Sequence, residues 1–203
     1  MPIVEETFAR FPVLCKNFVR SGIFVLTLPC LTIMMNLLEK IMTLDPEQLR
    51  HAMRAWTTGV AVVTALHDGQ QYGMTVNSFT SISLEPPLVS VTLKQLTHTH
   101  DLVVKANEFS VTILSSDQRE LSDRFAGKLA PIPDRFDGVK TQTLAIPAPL
   151  IQGGMAYFNC RVLNAFPVGE NTLFVAEVIA ARGEGDALAY HNRHYWKLNR
   201  PMS

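Results

Sequence analysis

The chain has no surplus of either charge, few cysteines and none of the short motifs that mark a hydrolytic or nucleotide site. Among its 203 residues, 18 Lys and Arg balance 18 Asp and Glu. A neutral chain has no global field with which to gather polyanions. That excludes nucleic acid as a partner on bulk charge and leaves any phosphate to a local constellation. The three cysteines, Cys15, Cys30 and Cys160, stand far apart with no CxxC or Cys/His spacing. A disulfide framework and a structural zinc site are excluded, and reduced thiols in a cytoplasmic protein are expected. No P-loop, HExxH, GxSxG or GxGxxG pattern occurs. His98 and His100 lie two apart but lack a third ligand, so no metal site is assigned. Without a nucleophile, a base pair or a metal, no catalytic side chain is assigned either. If the chain is an enzyme, a cofactor carries the reaction.

Hydrophobic residues make up 47% and charged residues 18%, enough for the core of one domain. Residues 21–38 contain no charge at all, a run close to membrane-spanning length. Pro29 and Asn36 interrupt it, Glu5 and Glu6 precede it, and no signal cleavage site follows, so a membrane span is disfavoured. Residues 1–42 read as an N-terminal helical extension that is dispensable or lies upstream of a start at Met34, Met35 or Met42. A packing element is the second reading. Residues 43–203 read as the working domain.

Thr43-Leu44-Asp45-Pro46-Glu47 opens a helix, with Thr43 or Asp45 as cap and Pro46 in the first turn. Leu49, Met53 and Trp56 follow at helical spacing, and Thr57-Thr58-Gly59 should end it. From Val60 to Leu66 the run is β-rich and apolar, as for a strand buried on both faces. His67-Asp68-Gly69-Gln70 is a hairpin turn. Further strands are predicted over residues 72–77, 88–93, 109–114, 155–166 and 172–182. Short helices are predicted from Thr99 to Ala106 and from the capping-box spacing of Asp117 and Glu120 through Phe125. Asp117, Glu120 and Asp123 read as a solvated helix face, Asp134, Arg135 and Asp137 as a solvated loop, and Gly153-Gly154 as a bulge or bend. Hairpin-joined strands with few short helices favour an antiparallel barrel over a doubly wound sheet.

One segment stands out. Residues 73–87 read Gly73-Met74-Thr75-Val76-Asn77-Ser78-Phe79-Thr80-Ser81-Ile82-Ser83-Leu84-Glu85-Pro86-Pro87. Small residues let a flat ring approach the backbone, and hydroxyls with backbone N–H groups can satisfy a phosphate. An ordinary polar strand and turn would look the same by chemistry alone. With Thr58-Gly59-Val60, Phe109-Ser110-Val111, Arg124-Phe125-Ala126-Gly127 and the terminal Tyr190-x-x-Arg193-x-Tyr195, this segment resembles the short-chain flavin reductases of two-component flavin-dependent monooxygenases. These belong to the FMN-binding split-barrel superfamily.

The resemblance implies a mostly β, antiparallel split β-barrel of the FMN-binding type and a homodimer. It implies FMN or FAD as cofactor, NADH or NADPH as co-substrate, and a flavin-dependent monooxygenase component as partner. Flavin contacts carry over to Gln71, Tyr72, Gly73, Met74 and Thr75 on one strand, then to Asn77 and Ser78. Thr92, Leu93 and Lys94 form the next wall, His98 and Thr99 face the ribityl-phosphate side, and Arg124 and Phe125 complete the set. Lys94 and Arg124 would bring local positive charge to the phosphate. Where the family usually has Gly-Asp-His, this chain has Gly169-Glu170-Asn171, and Asn171 cannot carry charge as an imidazolium can. Nicotinamide contacts are therefore expected from Asn171 together with Tyr190, His191 and Arg193 of the terminal motif. A reductase holding FMN permanently and a flavin-binding module without turnover are the rival readings.

Overall fold

The computed structural model describes residues 44–129, 133–183, 185 and 188–197. The uncharged run at 21–38, with Cys15 and Cys30, lies outside the described residues. The chain divides into residues 1–49 and 50–203, and apart from the start of the first helix the fold below is that of the second unit. Helix α1 (Pro46–Met53) begins where the sequence indicated, with Asp45 Oδ1 accepting a hydrogen bond from the Glu47 amide at 3.0 Å. Successive i to i+3 turns at Arg54, Ala55 and Trp56 follow it, so the regular helix stops short of Trp56.

Strand β1 (Thr58–Gly59) leads into β2 (Ala61–His67), which turns through Asp68 and Gly69 into β3 (Gln70–Val76). Both turn residues have positive φ, 48° and 75°, the backbone a tight two-residue hairpin needs. Strands β4 (Thr80–Ser83) and β5 (Leu88–Lys94) flank Pro86-Pro87, then come α2 (His98–Ala106), β6 (Glu108–Ile113) and α3 (Arg119–Phe125). After the short β7 (Thr141–Gln142) and β8 (Leu150–Ile151), two long strands follow, β9 (Ala156–Val168) and β10 (Asn171–Gly183). A hairpin of β11 (Leu188–His191) and β12 (His194–Lys197) closes the described chain.

Seven strands form one antiparallel sheet in the order β3-β2-β6-β9-β10-β5-β4. Its two edge strands, β3 and β4, are consecutive in sequence, with residues 77–79 between them. Six inter-strand spacings of about 4.8 Å would hold flat edges about 29 Å apart. Four extended residue steps reach at most about 14 Å. The sheet must therefore curl, as a split barrel does. Ser78 marks the meeting point: its Oγ donates to the Thr92 carbonyl at 3.0 Å and accepts from the Thr92 amide at 3.1 Å.

Strand β2 is buried on both faces, as its unbroken apolar run predicts, and alternate residues serve different cores. Ala61, Val63 and Ala65 join Val91, Leu93, Val103, Phe109 and Phe174 in one cluster. Val60 and Val62 join Leu114, Phe125, Phe136 and Leu188 in the other. Cys160 is buried in the first cluster, where desolvation pushes its thiol up to about 12, so it is inert.

Several elements differ from the sequence reading. Ser/Thr-rich β4 forms as a mostly exposed edge strand, where hydroxyl side chains face solvent without cost. The terminal motif is a hairpin because β11 pairs with β1, more than a hundred residues away, which no local pattern reveals. Helix α3 is capped at Gln118 without a side-chain cap bond. The capping box of Asp117 does not form, because the Gln118 side chain instead accepts the Ser115 amide at 3.0 Å.

Gly73 sits where α3 presses on β3. A Cβ there would lie 3.0 Å from Phe125 Cε1 and 3.1 Å from Thr64 Cγ2, both in fully buried side chains. Gly73→Ala is expected to cost about 1–3 kcal/mol through overpacking. In a thermal melt that lowers Tm by about 3–10 °C. An unchanged Tm would show that α3 shifts aside without loss.

Candidate functional site

Strand β3 offers a cavity at each end. At its C-terminal end, a cavity of about 160 Å³ is lined by Thr75, Asn77, Ser122, Lys128, Tyr190 and Tyr195, among others. A neighbouring one of about 230 Å³ is lined by Arg54, Trp56, Asn77, Tyr190 and Arg193, among others. Asn77 and Tyr190 border both, so the two make one groove between β3 and the terminal hairpin. At the N-terminal end of β3, Gln71, Tyr72 and His98 help line a third cavity of about 490 Å³.

The terminal hairpin is fixed to α3 through one oxygen. Tyr195 Oη donates to Asp123 Oδ1 at 2.8 Å, lies 2.9 Å from Ser122 Oγ, and accepts from Lys128 Nζ at 3.3 Å. Lys128 Nζ also donates to Asp123 Oδ1 at 3.0 Å, and Arg119 Nε lies 3.9 Å from Asp123 Oδ2. Burial works against the Asp123 charge, but the bonds from Lys128 and Tyr195 and the charges of Lys128 and Arg119 outweigh it. The carboxyl is held below its usual range. Burial likewise opposes the Lys128 charge, and the bonds to Asp123 and Tyr195 outweigh it, raising the ammonium. The Tyr195 ring packs against Tyr190 at 5.4 Å, so this network sets one wall of the groove. Thr75 Oγ1 donates to the Ser122 carbonyl at 2.6 Å and joins the opposite wall to the same helix.

At the far end of β3, the Arg135 guanidinium lies 5.0 Å from the centroid of the Tyr72 ring, and the His98 ring lies 5.1 Å from it. Arg135 Nη1 donates to the carbonyls of Phe125 at 2.8 Å and Gly73 at 3.2 Å. It is a tether between loop, helix and strand, where the sequence suggested a solvated loop. Asp123 is likewise a partly buried ion-pair acceptor and no solvated face. One partner of each lies far away in sequence, Tyr195 for Asp123 and Gly73 for Arg135. For Lys128 and Tyr195, adjacency to the Arg124-Phe125-Ala126-Gly127 and terminal motifs was the available signal.

Of the other sequence-assigned residues, Gly73, Leu93 and Phe125 are buried, the latter two completely, and line none of the three cavities. Met74 Sδ lies 4.0 Å from Thr97 Oγ1, which caps α2 by accepting the His100 amide at 3.4 Å. Thr99 is buried with its Oγ1 unpartnered among the described residues, and Arg124 Nε is in the same condition. Lys94 pairs with Glu170 at 3.5 Å, and Asn171 stands opposite Lys94 in the β5–β10 ladder, lining none of the three cavities. His191 Nδ1 lies 2.8 Å from Thr57 Oγ1, and Arg193 occupies the hairpin turn with φ 65°. His98 and His100 diverge, one to Tyr72 and the other 2.9 Å from Thr172 Oγ1, and no metal-binding group occurs among the described residues.

Residues 53–199 match the model of the flavin reductase like domain. The chain is 36% identical to the reductase component of a 4-nitrophenol 4-monooxygenase/4-nitrocatechol 2-monooxygenase from Rhodococcus opacus, over 75% of this chain and 80% of that one. It is 38% identical to an FMN reductase (NADH), SmoA, from Agrobacterium fabrum, over 77% of this chain and 88% of that one. Among solved structures it is similar to the flavin reductase PheA2 in its native state, with a TM-score of 0.71 and 34% identity. That match covers 77% of this chain and all of the other.

Asp123→Asn removes the charge that anchors Tyr195 and Lys128 while keeping the side-chain volume. A loss of about 1–2 kcal/mol is expected at pH 7. Because the folded carboxyl titrates below its unfolded value, its contribution is complete above about pH 4 and lost as pH falls through the lower folded value. Lys128 titrates above its usual value, so its part is complete below about pH 10 and lost above that. The Tm gap between wild type and variant should therefore stay level from about pH 5 to 9 and close towards pH 3. Equal Tm values at pH 7 would remove the network from the account of the hairpin.

Proposed function

The chain belongs to the flavin reductase like domain family, and we propose that it is a NAD(P)H-dependent flavin reductase supplying reduced FMN or FAD to a partner monooxygenase. The observation that carries this reading is the groove between β3 and the terminal hairpin, bordered on both its parts by Asn77 and Tyr190. Its walls suit a flavin. Val60, Ala126 and the two tyrosines offer flat apolar surface, while Thr75, Asn77 and Lys128 offer polar groups at the rim. Beyond Ser78, the capped N-terminus of α2 and Lys94 would face the ribityl-phosphate side. A bound flavin supplies the N5 position that accepts the hydride from C4 of the nicotinamide.

The chain's own task is positioning. Reacting atoms must be held about 3–3.5 Å apart and water kept out, and no protein acid or base is needed for that step. Asn77 would orient the ring edge, and Tyr190, fixed through Tyr195 and Asp123, would limit its movement. Arg193 at the hairpin turn would attract the nicotinamide dinucleotide's phosphates, with His191 beside it. Asn171 would approach from the β9–β10 turn. The proposed chemistry draws on no residue of 1–42, and a cytoplasmic location suits the supply of reduced nucleotide.

A homodimer belongs to the same reading. Met53 and Trp56, 55% and 66% exposed, border the part of the groove that holds Asn77 and Tyr190. A second copy covering them would both bury apolar surface and shield the groove from water. Trp56→Glu should convert a dimer to a monomer in light scattering and depress turnover at least tenfold. A wild-type monomer, or a dimeric variant, would reject that arrangement.

The activity itself is tested by following NADH absorbance with and without added FMN or FAD, using the full chain and one starting at Met42. NADH loss that depends on free flavin, equal in both chains, is expected. Loss without added flavin would favour an enzyme that holds its FMN, and no loss under any condition would leave a binding module.

A further inference from the structure

Full reduction of a flavin takes up two electrons and two protons. A hydride from the nicotinamide carries both electrons and one of those protons, and the pyridinium left behind has none to give. The second proton must come from water or from the chain. Two phenols border the cavity of about 160 Å³ at Asn77, those of Tyr190 and Tyr195. Tyr190 makes ring contacts, with no hydrogen-bonded chain behind its hydroxyl among the described residues. The Thr75 hydroxyl, on the same cavity, has its proton committed to the Ser122 carbonyl. Tyr195 is different, because Ser122 and Lys128 border the cavity with it and both reach its oxygen.

Behind Tyr195 runs a path to solvent. Lys128 Nζ donates to its Oη at 3.3 Å, and the Lys128 side chain is 53% exposed. At rest the phenol directs its proton to Asp123 Oδ1 at 2.8 Å. A hydroxyl hydrogen rotates to suit its partners, so it can swing from the carboxylate towards the groove. The phenolate left after transfer would meet two cations, the Arg119 guanidinium 5.5 Å and the Lys128 ammonium 5.3 Å from the ring centroid. The Asp123 carboxylate opposes that anion, while Ser122 Oγ, 2.9 Å from Oη, can donate to it. Two cations and a hydroxyl thus offset one carboxylate. Phenols and ammonium groups ordinarily titrate near about 10 and about 10.4, close enough for a proton to pass between them.

We propose that Tyr195 is the proton donor of the reductase reaction and that Lys128 replaces its proton from water. The Tyr195 O–H bond breaks and an N–H bond forms on the flavin, while both electrons arrive with the hydride. Hydride transfer itself still needs no acid, so the two events are separable. This rests on the reductase reading of the groove.

Anaerobic single turnovers with NADH and FMN in weak buffer separate them. Flavin absorbance follows hydride transfer, and a pH indicator follows proton uptake at mildly acid pH, where fully protonated reduced flavin is the product. The wild-type chain should take up its proton in step with the absorbance change. In Tyr195→Phe, which keeps the ring, uptake should lag hydride transfer by about a hundredfold, the usual size of a general-acid contribution. Lys128→Arg keeps the charge beside Asp123 but cannot give up a proton, and should show the same lag. A merely structural loss would slow both signals together. Without turnover, ultraviolet difference spectra of flavin-free wild type against Tyr195→Phe should show no phenolate at neutral pH. A phenolate there, or uptake in step with hydride transfer in either variant, overturns the proposal and leaves the reductase reading standing. No NADH oxidation with FMN or FAD would instead reject the reductase reading, and the proposal with it.

Discussion

Residues 77–79 take the chain from one edge of a seven-stranded sheet to the other, and that short link decides the architecture. A flat sheet of that width cannot be bridged by so few residues, so the strands must curl until β3 and β5 come within reach. Ser78 then uses its hydroxyl as both donor and acceptor to the Thr92 backbone, in place of a further rung of ladder. The strand holding Gly73 to Thr75 thereby becomes the neighbour of the wall that holds Thr92 and Lys94. A bulky side chain at position 78 would disturb this junction as well as any ligand beside it.

The second constraint is electrostatic and local. A chain with no net charge gathers Arg119, Asp123 and Lys128 around the Tyr195 hydroxyl. Isolated surface pairs contribute little, but here one oxygen is shared by three hydrogen-bonding partners and the acid is partly buried. The network joins the end of the fold to its middle, and Tyr190 is positioned as a result. Arg135 plays a comparable part at the other end of β3, tying loop, helix and strand together through two carbonyls.

Both constraints serve a chemistry in which the protein holds and shields while a cofactor reacts. Such a protein needs flat walls, a few directed polar groups and a rigid frame. The close approach of Phe125 to Gly73 and the double burial of β2 provide the frame.

Much of this was legible in the sequence because it is local. The apolar run from Val60 to Leu66, the Asp68-Gly69 turn and the Asp45-Pro46 helix start all depend on neighbours within a few residues. The order of the family motifs placed the chain in the flavin reductase like domain family. What only the tertiary structure decided involves partners separated by tens of residues: β1 with β11, Asp123 with Tyr195, and Arg135 with Gly73. The sequence shows which side chains could be charged or polar. Whether they meet solvent or one another depends on how the sheet curls, and chain distance does not report that.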